Sequence, residues 1–278
     1  MTIGMLLNMD KNIDGSMVEK MSAFFQKRGS TVRVSPYQKK NGLQSGIVNA
    51  DFFAESDMII AFGGDGTLLG AARDAAMFQK PVLGFNLGKL GFLTEALPGD
   101  FEQVADCLLK GEFSLDHRLM LRAVLPDGSF CDALNDVVVS RRAELSILRT
   151  EIFIGDEQFD RLSADGVVVA SPTGSTAYSL SCGGPVIGPG LNCMVISPIC
   201  PHSLRARPVV VSPKEVIRIQ IGNQAQSARV DADGVFCAAL EAGQSVRITQ
   251  SPLTAQFIRI HSKNFYQLLR EKLAQWSL

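Results

Sequence analysis

Residues 58–62 form an unbroken apolar run that ends in Gly63-Gly64-Asp65-Gly66-Thr67 and is followed by an alanine-rich stretch over 68–78. A short apolar run bounded by turn residues reads as a buried strand. Ala71, Ala72, Ala75 and Ala76 favour a helix. The glycines between them allow a tight turn and a close approach of backbone to a ligand. Strand, glycine turn and helix in that order present backbone N–H groups at a helix start, where phosphate binds. Asp65 stands in the middle of the turn. A carboxylate repels phosphate, so Asp65 is expected to take a proton or to help hold a metal.

The sequence around this motif alternates between two periodicities. Strand-like segments over 2–8, 31–35, 57–62 and 81–86 are separated by helix-like segments over 14–27, 68–78 and 101–109, with Gly29 and Gly111 just past two of the helix ends. This alternation predicts an α/β domain over 1–112 with a Rossmann-like parallel sheet. From 113 onward the helical segments give way to short runs at 120–125, 133–140, 146–154, 166–170, 194–199, 209–211, 216–221 and 227–230. Turn signals such as Pro126-Asp127-Gly128 and Asp231-Ala232-Asp233-Gly234 separate them, which predicts an all-β domain over 113–262, an antiparallel sandwich or partial barrel. Residues 263–278 return to a helical pattern, and this C-terminal helix is expected to dock on the N-terminal domain.

A net charge of −1 gives no general attraction to nucleic acid or to a membrane, so neither is expected as a partner. No apolar run reaches the roughly 18 to 20 residues that span a bilayer. The first residues lack a basic segment and read as a strand, not as a signal peptide. The six cysteines are scattered without a C-x-x-C pair, so reduced thiols and a cytoplasmic location are expected.

The glycine turn fits neither of two familiar phosphate motifs. A Walker A loop needs Ser or Thr after its lysine, and Leu90 follows Gly88-Lys89. A dinucleotide fingerprint needs a third glycine where Leu69 stands, and a ribose-binding acid near the position of Asn86. Asn86 itself follows a strand and is a candidate site residue. Asn135-Asp136 pairs an amide with a carboxylate, able to read an adenine edge or ribose hydroxyls, or simply to start a strand. Asp165 precedes a fully apolar strand, after which Pro172-Thr173-Gly174-Ser175-Thr176 leads toward Tyr178. Three hydroxyls exceed what helix capping requires and could bind phosphate or ribose, with Tyr178 stacking on a ring. His117, His202 and His261 show no metal-ligand spacing. Arg141-Arg142 reads as a solvated turn. Arg205 and Arg207 are either surface cations or phosphate partners.

Taken together, Gly63-Gly64-Asp65-Gly66-Thr67, the Asn86-x-Gly-x-Leu-Gly-Phe-Leu block, Asn135-Asp136, Asp165-Gly166, the Pro-Thr-Gly-Ser-Thr-Ala-Tyr-Ser block from Pro172, and Pro201-His202-Ser203-Leu204 with Arg207-Pro208 resemble the NAD kinases. The glycine-aspartate block alone is shared with lipid kinases and is similar to that of phosphofructokinases, so a lipid or sugar kinase is one alternative and a non-catalytic NAD-binding sensor another. The block from Pro172 separates the chain from the first two. The resemblance implies ATP-dependent phosphorylation of NAD at the 2′-hydroxyl of its adenosine ribose, with Mg2+ or another divalent cation. It also implies a homodimer or homotetramer and NAD lying between the two domains. Asp65 matches the family's catalytic base. Gly63, Gly64, Gly66 and Thr67 fall to the phosphate donor. Asp65, Gly66, Asn86, Asn135, Asp136, Asp165, Thr176, Ala177, Tyr178, Ser179, Leu180 and Ser181 fall to NAD, with Tyr178 near the nicotinamide end.

Overall fold

A computed structural model describes residues 1–8, 15–37, 50–87, 91–142, 147–223, 227–260 and 265–276. Positions 88–90 of the second motif lie outside them. The chain divides into two compact units, one of residues 1–117 with 255–278 and the other of residues 118–254.

The first unit opens with β1 (Thr2–Asn8), α1 (Gly15–Lys27), β2 (Thr31–Tyr37), α2 (Ala50–Ala54), β3 (Met58–Gly63), α3 (Asp65–Ala76), β4 (Val82–Asn86) and α4 (Phe101–Lys110). Its strands lie side by side in the order β2-β1-β3-β4, and every pairing is parallel. Both faces of β3 and β4 are buried, which is why these strands read as continuous apolar runs and not as alternating ones. Ile3, Met5, Ile60, Phe62, Leu83 and Phe85 form a core with Phe25 of α1 and Val104 and Leu108 of α4. The strand order reverses between β1 and β3, and in open parallel sheets ligands bind at the C-terminal ends of the strands beside such a reversal. Asn8 and Gly63 stand at those two ends.

The second unit carries the rest of β5 (Ser114–Val124), then β6 (Phe130–Ala133), β7 (Asp136–Arg141), β8 (Leu148–Ile154), β9 (Glu157–Ala164), β10 (Gly166–Ala170), α5 (Tyr178–Ser181), β11 (Met194–Ile199), β12 (Val209–Val211), β13 (Ile217–Ile221), β14 (Ala228–Ala232), β15 (Val235–Leu240) and the start of β16 (Ser245–Arg259). A sheet of order β12-β11-β10-β7-β14-β15 is antiparallel throughout. β16, β13, β8 and β9 pair in sequence as a second antiparallel layer. Val137, Val139, Val167 and Val169 face the core shared with Ile152, Ile217, Ile219 and Ile248. Val138 and Val168 point the other way and are covered by Ile187 with Val195 and Ile199. Burial on both faces explains the unbroken valines of β7 and β10.

The last residues of β16 run parallel to β4 with Phe257 opposite Val82, so this strand end belongs to the first unit. α6 (Phe265–Trp276) belongs there too, with the ring of Phe265 6.2 Å from that of Phe92.

Three differences from the sequence reading have physical causes. The run 133–140 is broken at Leu134 and Asn135, whose amides go to a side chain instead of a neighbouring strand. β9 carries mostly exposed polar residues and lacks an apolar signature. β15 and β16 follow the tight Asp233-Gly234 turn, where both residues have positive φ, 51° and 76°. Asp-Gly with two positive φ values is the hairpin turn that joins adjacent strands, so Asp231 and Ala232 lie in β14 and not in the turn.

Candidate functional site

Asp65 is the first residue of α3, after Gly64 in extended conformation at the cap. Its N–H and that of Gly66 sit in the first turn, where no preceding helical carbonyl can accept them. The N–H groups of Thr67 and Leu68 instead return to the carbonyl of Gly64, at 3.0 and 3.1 Å. The Thr67 hydroxyl is buried and accepts a 2.7 Å hydrogen bond from the amide of Asn8. That bond ties the helix start to the end of β1. Thr67 therefore shapes the turn, whereas Gly66 is exposed at its surface.

The Asp65 carboxylate is firmly held. Oδ2 accepts the N–H of Phe92 at 2.7 Å, and Oδ1 accepts those of Leu93 at 3.2 Å and Thr94 at 3.4 Å. A carboxylate offers about four lone-pair positions. Among the described residues these amides occupy three, which leaves one on Oδ2. Gly91 is required here: a Cβ at that position would overlap Asp65 Oδ1. Asn86, at the end of β4, turns its amide toward the Thr94 hydroxyl at 3.3 Å, and that hydroxyl accepts the N–H of Gly91 at 2.8 Å. Asn86 is buried and braces the same loop.

In the second unit, Asn135 and Asp136 sit where β7 begins. Asp233 holds them: its carboxylate accepts the N–H groups of Leu134, Asn135 and Asp136 at 2.8, 2.7 and 3.2 Å. The N–H of Asp233 donates in return to the Asp136 carbonyl at 2.9 Å. The carbonyl of Asn135 accepts the N–H of Ser171 at 2.8 Å, and a Cβ on Gly174 would overlap that oxygen. The Asn135 backbone is thus fully engaged while its side chain remains half-exposed. Burial, with the charge of Asp233 adding to it, pushes the Asp136 carboxyl up to about 7.

The hydroxyl-rich turn distributes its groups unequally. Thr173 accepts a hydrogen bond from Arg118 Nη1 at 3.2 Å. Ser175 is fully buried, donating to the Pro172 carbonyl and accepting the N–H of Ile187. Ser179 is fully buried against Ser197, with their hydroxyls 2.9 Å apart. Of the three hydroxyls at 173–176 singled out in the sequence, that of Ser175 closes the turn, that of Thr173 meets Arg118, and that of Thr176 donates to the Thr173 carbonyl at 3.3 Å. Thr176, Ala177 and Leu180 are half-buried, and Tyr178 and Ser181 are exposed. Burial, then the neighbouring Cys182, Cys200, Asp165 and Asp136, push the Tyr178 phenol above its usual range. That ordering of influences brings Tyr178, Asp165 and Asp136 into one electrostatic neighbourhood.

Asp165 is paired with Arg141, Nε to Oδ1 at 3.2 Å, and the N–H of Arg141 donates to the Asp165 carbonyl at 3.0 Å. Arg141 is therefore the last residue of β7 and a partner of a candidate site residue, not part of a solvated turn. His202, Ser203, Leu204, Arg205 and Arg207 are exposed, and Arg207 donates to the carbonyls of Leu204 and Ala206. Sequence reasoning did not reveal that Asp233 holds the backbone of Asn135 and Asp136, that Arg141 pairs with Asp165, or that the 92–94 amides hold Asp65. The Asp-Gly pair reads as a turn, and amides carry no side-chain signal.

Residues 3–113 match the family model described as ATP-NAD kinase N-terminal domain, and residues 134–260 match ATP-NAD kinase C-terminal domain. Among curated relatives, an NAD kinase of Desulforamulus reducens is 37% identical over 284 residues, covering 99% of this chain and 98% of its own. One of Syntrophotalea carbinolica is 45% identical over 222 residues, 78% of each chain. The crystal structure of an NAD kinase from Archaeoglobus fulgidus in complex with ATP superposes with a TM-score of 0.78 at 25% identity, covering 99% of both chains. Yeast NADH kinase complexed with NADH gives the same TM-score at 26% identity, covering 97% of this chain and 85% of that one.

Proposed function

The chain belongs to the NAD kinase family and phosphorylates NAD with ATP, and on that premise we propose that the acceptor is the 2′-hydroxyl of the adenosine ribose and that Asp65 takes its proton. The observation that carries this reading is the Asp65 carboxylate, fixed by three amides with one lone-pair position left, beside a helix start at the C-terminal ends of a parallel sheet.

A ribose hydroxyl is a poor nucleophile near neutral pH. A carboxylate within hydrogen-bond reach accepts its proton as the bond to phosphorus forms. Phosphoryl transfer otherwise depends on position and charge neutralisation. The N–H groups at Asp65 and Gly66 and the close backbone approach allowed by Gly63 and Gly64 serve the triphosphate. Thr67 contributes by fixing that turn through Asn8. Mg2+ or another divalent cation would accompany ATP and neutralise charge on its phosphates. Among the described residues no three His, Cys, Asp or Glu side chains gather as metal ligands.

NAD is held by Asn135 and Asp136 at the adenosine, by Asp165, and by residues 176–181, with Asn86 and Gly66 completing the set. The half-exposed Asn135 side chain on an anchored backbone supports an adenine-reading role, and the exposed ring of Tyr178 supports stacking at the nicotinamide end. The protein works as a cytoplasmic homodimer or homotetramer. Leu204, 94% exposed, and Val210 on the edge strand β12 support association. No described helix is long and apolar enough to cross a membrane.

Incubation of the purified protein with Mg-ATP and NAD, with the product read by an NADP-specific dehydrogenase and by phosphorus NMR, tests the reading. A 2′-phosphate is expected. Phosphate at the 3′-position, or no phosphorylated dinucleotide, would overturn it.

A further inference from the structure

The segment that holds Asp65 is itself held from the opposite side. The Leu93–Thr94 peptide faces two ways: its N–H, that of Thr94, donates to Asp65 Oδ1 at 3.4 Å, and its carbonyl, that of Leu93, accepts from Arg259 Nη1 at 3.0 Å. Arg259, the last residue of β16, is fixed in turn. Its Nη1 also meets Glu95 Oε2 at 3.1 Å, and its Nε meets Asp116 Oδ2 at 3.1 Å. The second oxygen of Glu95 accepts the N–H of Ile260 at 3.0 Å. The Glu95 side chain is 6% exposed and that of Arg259 19%, so solvent screens this pair little.

We propose that Arg259 is a positioning residue for Asp65, acting through the Leu93–Thr94 peptide, with Glu95 and Asp116 aiming its guanidinium. The proposal rests on the assignment of Asp65 as the base. Its physical basis is a division of labour along the loop. Residues 95 and 96 are anchored to β4 by their own backbone, through the N–H groups of Glu95 and Ala96 to the Gly84 carbonyl and of Asn86 to the Ala96 carbonyl. Arg259 reaches one step further, to the peptide that touches the carboxylate. A guanidinium held by two carboxylates presents its remaining N–H in a fixed direction, which a flexible ammonium does not. Its bond to the Leu93 carbonyl also polarises that peptide and strengthens the bond its Thr94 N–H makes to Asp65. Without it, the amide row turns and the open Oδ2 position of Asp65 loses its aim, although Asp65 and both substrate sites remain.

The test compares Arg259→Met and Arg259→Lys with wild type in kcat, in KM for NAD and ATP, in Tm and in amide exchange at 92–94. Expected for Arg259→Met are a kcat lower by about 10-fold or more, the scale of a misplaced catalytic group, little change in either KM, and faster exchange at Thr94. Arg259→Lys recovers part of kcat. In an Asp65→Ala background, Arg259→Met causes no further loss of the residual single-turnover rate, because residues acting as a unit are not additive. Equal losses in both backgrounds, or wild-type kcat in Arg259→Met, overturn the proposal. If Arg259→Met does not fold, Arg259→Lys and Glu95→Gln are judged by the same additivity. Failure of the base assignment has a different signature: Asp65→Ala alone then turns over near normally.

Discussion

Asp233 and Asp136 are joined in both directions, the Asp233 carboxylate accepting the Asp136 N–H at 3.2 Å and the Asp233 N–H donating to the Asp136 carbonyl at 2.9 Å. Holding the backbone this way brings a negative charge to a carboxyl that is already desolvated. The buried Asp136 titrates at about 7 in the fold, against about 3.9 for an unfolded aspartate. Between those values the folded state binds more protons than the unfolded one. The stability this proton contributes is therefore fully present below pH ~4 and is lost as pH rises through 7. A shift of about three units corresponds to about 4 kcal/mol. Tyr178 and Cys182, titratable groups of α5 and its end, also feel the Asp136 charge. In denaturant unfolding of the ligand-free protein, Asp136→Asn should flatten the fall in stability between about pH 4 and 7 relative to wild type. Parallel curves for the two proteins would show that Asp136 does not carry this proton.

Asn135 separates two jobs, because its backbone builds the turn and its side chain does not. Asn135→Ala leaves the bonds to Asp233 and Ser171 in place. Loss of one or two hydrogen bonds to the adenosine should raise KM for NAD by about 10-fold, at about 1 kcal/mol each, with kcat nearly unchanged. Steady-state kinetics with NAD varied decides it, and an unaltered KM removes Asn135 from the NAD site.

The pattern of what the sequence revealed follows from which groups carry the chemistry. β1, β10, β11 and β12 were readable to the residue because they are apolar runs with turn residues at both ends. β9 was hidden because its residues are largely polar and exposed. Asp65, Asn135 and Asp165 were legible as acids or amides at strand ends. Their supports were not. Phe92, Leu93 and Thr94 act through N–H groups common to every residue. Asp233 resembles any Asp-Gly turn until its carboxylate is seen to reach 97 to 99 residues back along the chain. Ser175 shows the converse, since a hydroxyl that closes a turn has the same sequence signature as one that binds a ligand.

Gly91 is constrained by contact and not by backbone angle. Alanine there drives a methyl into Asp65 Oδ1, and the carboxylate must leave its amides to accommodate it. Gly91→Ala should lower kcat by about 10-fold or more, as expected for a displaced catalytic group. Gly99, where an added methyl would meet nothing within 4 Å, is the control. Gly99→Ala should keep wild-type kcat. Equal kcat in the two variants would mean that the position of the Asp65 carboxylate is not limiting.

Asp65→Asn tests the base directly, and the structure sharpens what it should do. The amide oxygen can still accept N–H groups on one side, but its NH2 then faces an N–H of the 92–94 row, two donors with no acceptor between them. The variant should lose turnover by about 100-fold or more, the scale of general-base removal, and should also exchange the 92–94 amides faster. Asp65→Ala removes the base without forcing two donors together, so it should lose turnover equally while disturbing the loop differently. Equal losses of kcat in the two variants, with unequal amide exchange, separate proton abstraction from loop bracing. A kcat in either variant within a few-fold of wild type would leave Asp65 as a loop anchor only.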